Sequence, residues 1–417
     1  MERKYRRLVA ILGFCGFVSA ADNWFVSPSL PAIAAGLGVS AASMGVVLTA
    51  YMIPYGVMQP VYGFFGDKFG RKKLLRWIVF GLCLGTAGGA VSPSLAVLCG
   101  FRVFTGFFAA GIIAVSLAFI GDSVPESLRQ VYVGRFMGIV FAGQGISVGL
   151  GGILTTYVSW RGAFLFFAAA GIGALLALGR LPDFSPEPQS GRDRGSNRLP
   201  DFSPEPQSGW ARVSAASGAL APVGASGFFS GLKAVAWDSP LGRVLFPFAF
   251  IAGFLILGVY GWLGSYLHQI IGLDYVQSGL AAMLYGFACL AGGRKVGAMG
   301  LRLGRKRVIL TGLILAFFSS ALLLSQSLPA AMAAAILLGL AYICVQSTLA
   351  TLAFTVSERD KGLVSGLVGL GLFCGGGLGS SVGGLILARL DYSGMYLFFT
   401  AGLLLTILAA GRISRFQ

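Results

Sequence analysis

Runs of about twenty apolar residues recur along nearly the whole chain, separated by short polar or basic turns. Each run is long enough to cross about 30 Å of hydrocarbon as a helix. The outward-apolar, inward-polar alternation of a barrel strand is absent, so the spans are expected to be helical. Twelve spans are expected: Leu8–Leu30, Ser43–Phe65, Leu74–Ala90, Leu95–Phe119, Val131–Leu154, Ala163–Leu181, Val244–Leu267, Ser278–Gly300, Val308–Leu324, Ala330–Phe354, Leu363–Leu387 and Tyr396–Ala410. Composition agrees with an all-α membrane protein. Of 417 residues 56% are hydrophobic and 11% charged, against about 25% charged in a soluble domain. Mean hydropathy is +0.81. The basic start MERKYRR has the look of a signal peptide, but the apolar stretch behind it is too long and lacks a small-residue cleavage site, so it is expected to stay as the first helix.

A net charge of +16 would point to nucleic acid in a soluble chain. Here the distribution of the charge points to a bilayer, and no nucleic-acid partner is expected. Lys and Arg cluster at the N-terminus, after the second span (Lys68, Arg71, Lys72, Lys73), in the central loop, after the eighth span (Arg302, Arg305, Lys306, Arg307) and at the C-terminus (Arg412, Arg415). Residues 31–42 and 91–94 have none, and Arg161 and Arg389 stand alone on that side. The positive-inside rule then places both termini in the cytoplasm of a multi-pass inner-membrane protein. A basic cytoplasmic face also suits anionic headgroups. The six cysteines fall inside expected helices without metal-ligand spacing, and His268 is the single histidine. No metal site, disulfide or other cofactor is therefore expected.

The chain repeats itself. GFFGDKFGRKK at Gly63–Lys73 returns in degraded form as GAMGLRLGRKR at Gly297–Arg307, 234 residues later. Glu126 maps on Glu358, Gly151 and Gly152 on Gly383 and Gly384, and Gly162 on Gly394, each 232 residues on. An even number of crossings separates the copies, so two six-helix bundles in the same orientation are expected, residues 1–181 and 241–417. Parallel repeats of this kind place a solute path at their interface near the midplane. Residues 182–240 turn to Pro, Ser, Gly and charge and carry RLPDFSPEPQSG twice, which reads as a flexible cytoplasmic linker. Its end, GFFSGLKAVAW (227–237), is apolar enough to lie along the interface.

The GFFGDKFGRKK turn after the second span resembles the signature loop of the major facilitator superfamily, and the two-times-six layout extends the resemblance over the whole chain. RVFTGFFAAG in the fourth span (Arg102, Gly106), VPESLR after it (Pro125, Arg129) and GQGISVGLGG in the fifth (Gly143–Gly152) fall where that family has motifs. ADNWFVSPSLPAIAAGLGVS in the first span is similar to the acidic opening helix of its twelve-helix drug/proton antiporters, although Val148 stands near the place where their fifth-helix motif has proline. The resemblance implies a gate at the turn: Gly63 and Gly66 for close packing, Gly70 for the turn, Asp67 pairing with Arg129 or a helix N-terminus, and Arg71 and Lys72 at headgroup level. The alternative is a charged turn that only sets topology. Leu301 replaces Asp67 in the second copy, so any latch there must be weaker or differently made.

Asp22 lies roughly 21 Å inside the first helix, about fourteen residues at 1.5 Å each. An ionised carboxylate there costs about 3 kcal/mol on insertion scales, so it should face the bundle interior with a partner. Arg102 is the candidate cation, and its counterpart in the second half is near Ala334, as that of Asp22 is near Ile256. A carboxyl moved between a dry and a cation-paired setting takes up and releases protons. Proton coupling by Asp22 and Arg102 is the expectation, and a static ion pair the alternative. Asn23, Trp24, Tyr51, Tyr55, Gln144, Trp262, Tyr266, Tyr285, Tyr342 and Gln346 are candidate cavity residues, suited to a moderately apolar or cationic organic molecule. No P-loop is present, so ATP does not drive the protein directly. The expected function is a monomeric secondary active transporter, exporting drug-like or amphipathic compounds in exchange for protons. Proton-linked uptake of a metabolite is the second reading. An intramembrane enzyme or scaffold is the third, and it lacks the paired acids or Ser/Lys dyad such chemistry needs.

Overall fold

The computed structural model describes residues 2–65, 70–181, 225–357 and 361–412, and these form helices and connecting turns with no strand among them. The first span is two helices, α1 (Glu2–Trp24) and α2 (Val26–Leu37), bent by 45° where they meet. Sequence reading expected one helix ending at Leu30; instead it breaks at Phe25 and resumes to Leu37. Pro28 has no amide to return to the Trp24 carbonyl and Pro31 none for Ser27, which is enough to bend the ladder there.

The crossings that follow are α3 (Gly45–Phe65), α4 (Arg71–Ala90), α5 (Leu95–Ser123), α6 (Glu126–Tyr157) and α7 (Trp160–Gly179). A short α8 (Ala225–Lys233) precedes α9 (Gly242–Gln269), α10 (Tyr275–Leu303), α11 (Arg305–Leu322), α12 (Leu328–Val356), α13 (Lys361–Leu387) and α14 (Tyr392–Arg412). Among the described residues ten helices are long and apolar enough to cross a membrane, eleven with the bent pair. Helix α4 falls short of that test because Arg71, Lys72, Lys73 and Arg76 occupy its first two turns, and it brings the bundle to the twelve crossings expected. The duplicated turns share one conformation: Gly70 (φ 71°) and Gly304 (φ 85°) both take the positive φ that glycine tolerates, one residue before α4 and α11 begin.

The linker repeat and the tip of the first turn, Gly66 and Asp67 included, lie outside the described residues. The segment 225–238 is helical. Phe228 packs on Phe64 at 5.3 Å and Val235 is buried, while Phe229 and Trp237 are exposed.

Contacts between the first six crossings and the last six follow two long seams and one short one. Helix α3 runs along α13, α6 runs along α10, and α2 sits on α9, whereas α1 packs on α5, α6 and α7. The seams are tight because small residues face each other. A Cβ on Gly63 would lie 2.5 Å from the Gly362 carbonyl oxygen, and one on Gly145 3.0 Å from the Cα of Gly286. A Gly286→Val change should cost about 1–3 kcal/mol through overpacking. Thermal unfolding in detergent should show this as a lowered midpoint, while Gly100→Val, on an exposed helix face with nothing within 4 Å, leaves the midpoint unchanged.

Candidate functional site

Asp22 and Arg102 meet, as their depth required. Arg102 Nη1 lies 2.9 Å from Asp22 Oδ2, with the two side chains 1% and 0% exposed. The Thr86 hydroxyl donates to Asp22 Oδ1 at 2.6 Å, so both carboxylate oxygens are engaged from α4 and α5. The arginine does a second thing. Asp22 is in the last turn of α1, and Arg102 donates to the backbone carbonyls of Asp22 (3.0 Å) and Asn23 (3.5 Å) there. A helix C-terminus favours a cation and disfavours a carboxylate, so the bend and the ion pair support each other. The Tyr51 ring lies under the guanidinium, 4.2 Å from its carbon, and the Tyr51 hydroxyl donates to the Ser19 carbonyl at 3.3 Å.

Beside this pair a cavity of about 1350 Å³ runs from Asn23 and Trp24 to the end of the bundle that carries the basic turns, where Val131, Arg135 and Gly362 line it. Six of the ten expected cavity residues line it: Asn23, Trp24, Tyr55, Gln144, Tyr342 and Gln346. Four do not. Tyr51 stands behind Tyr55, stacked at 5.6 Å, on the arginine. Tyr285 stacks on Tyr260 at 3.7 Å and is reached by Gln144 Nε2 at 3.4 Å, one layer behind the wall. Trp262 donates to the Ser380 carbonyl at 2.9 Å, and Tyr266 to the Leu323 carbonyl at 2.6 Å, so both are tied into packing among the last six crossings. Sequence reading missed Gln59 and Tyr62, which line the cavity with Tyr55 at the i, i+4, i+7 spacing of one helix face.

At the opposite end the seams close. The Ser27 hydroxyl donates to the Gly261 carbonyl at 3.1 Å, and Thr49 and Ser381 share a 2.6 Å hydrogen bond. Of the expected gate residues, Gly63 packs on Gly362 and Gly70 makes its turn. Arg71 pairs with Asp122 of α5 at 2.6 Å, and Lys72 donates to the Leu181 carbonyl just past α7. Gly66, Asp67 and the Arg129 side chain lie outside the described residues. No group of three or more His, Cys, Asp or Glu able to hold a metal occurs among the described residues.

Removing the arginine strands the carboxylate. Arg102→Met should cost about 3–5 kcal/mol by leaving a buried charge alone, and Asp22→Asn with Arg102→Gln should recover most of that loss. Thermal unfolding of the three forms in detergent checks both statements.

Known proteins share this fold. The nucleoside transporter NupG matches with a TM-score of 0.72 at 15% identity, over 99% of this chain and 100% of its own. The human organic anion transporter MFSD10 matches with a TM-score of 0.64 at 19% identity, over 97% and 99%. At such identities the likeness is one of fold. In sequence, MdtD of Cronobacter sakazakii, named for multidrug resistance, is 31% identical over 179 residues, 42% of this chain and 37% of its own. The puromycin resistance protein pur8 of Streptomyces alboniger is 32% identical over 184 residues, 43% and 36% respectively. The chain thus spans little more than a third of the length of these curated relatives. The sequence profile of the Major Facilitator Superfamily matches residues 12–299 and 277–415, which is nearly the whole chain. With two glycine-turn repeats, twelve crossings and a cavity between them, the chain belongs to the major facilitator superfamily of membrane transporters.

Proposed function

We propose that this transporter exports small organic compounds in exchange for protons by alternating access, with Asp22 as the proton carrier and Arg102 as its partner. One observation carries the reading: Arg102 has ligands other than the carboxylate. The carbonyls of Asp22 and Asn23 and the face of Tyr51 still hold the guanidinium when Asp22 takes a proton. A purely structural pair would strand its cation on losing the opposite charge. This one loses a single salt bridge and keeps the rest.

By the positive-inside rule the basic end of the bundle faces the cytoplasm of the inner membrane, with both termini there. The cavity reaching that end then holds solute on the loading side of an exporter, while the seams at the Ser27–Gly261 end shut the other side. The two halves, residues 1–181 and 241–417, would rock along the α3–α13 and α6–α10 seams. The turn built from Gly63, Gly66, Asp67, Gly70, Arg71, Lys72 and Arg129 would gate the cytoplasmic end as the halves close. Resistance to drugs, for which MdtD and pur8 are named, fits export. A single chain contains the pair and the cavity, so a monomer suffices.

Asp22→Asn should abolish uphill transport driven by a pH gradient in sealed vesicles. The folded fraction and solute counterflow without a gradient should be preserved. Undiminished uphill transport by that variant would sink the coupling role.

A further inference from the structure

Resting on the export reading above, we propose that the cavity selects uncharged aromatic compounds bearing N–H or O–H donors, and excludes permanent cations. Sequence reading left room for cationic solutes on the strength of the aromatic residues and one deep acid. The geometry takes the acid away from a cation and leaves three of the expected rings little exposed.

No Asp or Glu lines the cavity among the described residues, and the charged side chain in its wall is that of Arg135, exposed toward the basic end. Asp22 is closed off. Its oxygens are held by Thr86 and Arg102, and it is fully buried. A solute cation competing for it would displace the arginine.

The rings are engaged as well. Trp24 lies on Tyr260 at 4.4 Å, Tyr55 is wedged between Tyr51 and Phe373, and Tyr342 leans on Tyr285 at 6.0 Å. Each of these three wall rings is only 2–4% exposed, so they offer little surface to a solute. The cation–π site formed in this core is already filled by Arg102 over Tyr51. An ammonium group in the cavity would therefore be desolvated with no counter-charge in the wall to replace its water.

The wall does offer acceptors. Asn23 Oδ1 and Gln346 Oε1 are buried and have no hydrogen-bond partner, and Gln59 and Gln144 add two more amides. Ile113, Leu117, Ile139 and Phe141 supply the apolar surface around them. Unpaired buried acceptors are costly, and a ligand N–H or O–H recovers that cost. An uncharged solute also changes the electrical balance. One proton on Asp22 exchanged for a neutral molecule moves net charge across the membrane, whereas a proton exchanged for a monovalent cation moves none.

The test uses the full chain in liposomes loaded with a pH dye, under an imposed pH gradient. The probes are aromatic amides and their trimethylammonium counterparts of matched size. The neutral members should drive proton flux at least tenfold faster than the cations. Gln346→Glu should bring the cations to within about twofold of the neutral probes. An inside-negative potassium potential of about 60 mV, equivalent to a tenfold gradient, should speed proton entry with the neutral probes. Equal flux with wild-type protein and cations, or neutral-probe flux indifferent to potential, would overturn the proposed selectivity and leave proton-coupled export standing. Proton flux with none of the probes would overturn both.

Discussion

Everything in the first half of this protein is arranged around a carboxylate that cannot be left alone. Moving such an ion from water into a medium like the bundle core carries an idealised cost of order 20 kcal/mol, and several kcal/mol after relaxation. Asp22 tolerates the core only because α4 and α5 bring Thr86 and Arg102 to its two oxygens. The same guanidinium closes the last carbonyls of α1 and rests on Tyr51 of α3. Four helices are thereby tied together by one ion pair and its neighbours. The second half has apolar residues near the corresponding sites, Ile256 and Ala334, and instead builds its core from stacked tyrosines and serine-to-carbonyl hydrogen bonds.

That difference divides the labour of the cavity wall. One side holds the ion pair just behind it, and the other presents Tyr342 and Gln346 over a layer of aromatic packing. The tight seams where small residues meet permit sliding with little side-chain rearrangement, because there is little side chain at the contact to rearrange. A rocking movement of two rigid halves is well served by such surfaces.

Much of this was legible in the residues. Span length is set by membrane thickness, so the twelve crossings could be placed within a few residues. Asp22 and Arg102 had to pair because no other deep charges were available to either. Gly70 and Gly304 announced their positive-φ turns through the duplicated motif. Other features were not legible for a physical reason. A helix inside a bundle touches neighbours around most of its circumference, so an aromatic residue alone does not say which way it points. Trp262 and Tyr266 were therefore expected in the cavity and instead fasten helices of the second half, while Gln59 and Tyr62 went unnoticed beside Tyr55. The break at Phe25 was written in Pro28 and Pro31, yet apolar length alone had read the segment as straight. The donation from Lys72 to the Leu181 carbonyl is a tertiary contact with no local signature.

The break in the first span has a further consequence. Up to Asn23 the span packs on helices of its own half, and from Trp24 onward it leans on α9 of the other. Trp24, two residues past the carboxylate, already rests on Tyr260 of α9, and Ser27, five residues past it, is fastened to Gly261 by its hydroxyl. One continuous stretch of backbone thus belongs to both moving bodies at once, like a crankshaft throw between two bearings. Torque from rearranging the ion pair would need no relay through side chains to reach the far closure, because the five peptide bonds from Asp22 to Ser27 form both its handle and its load.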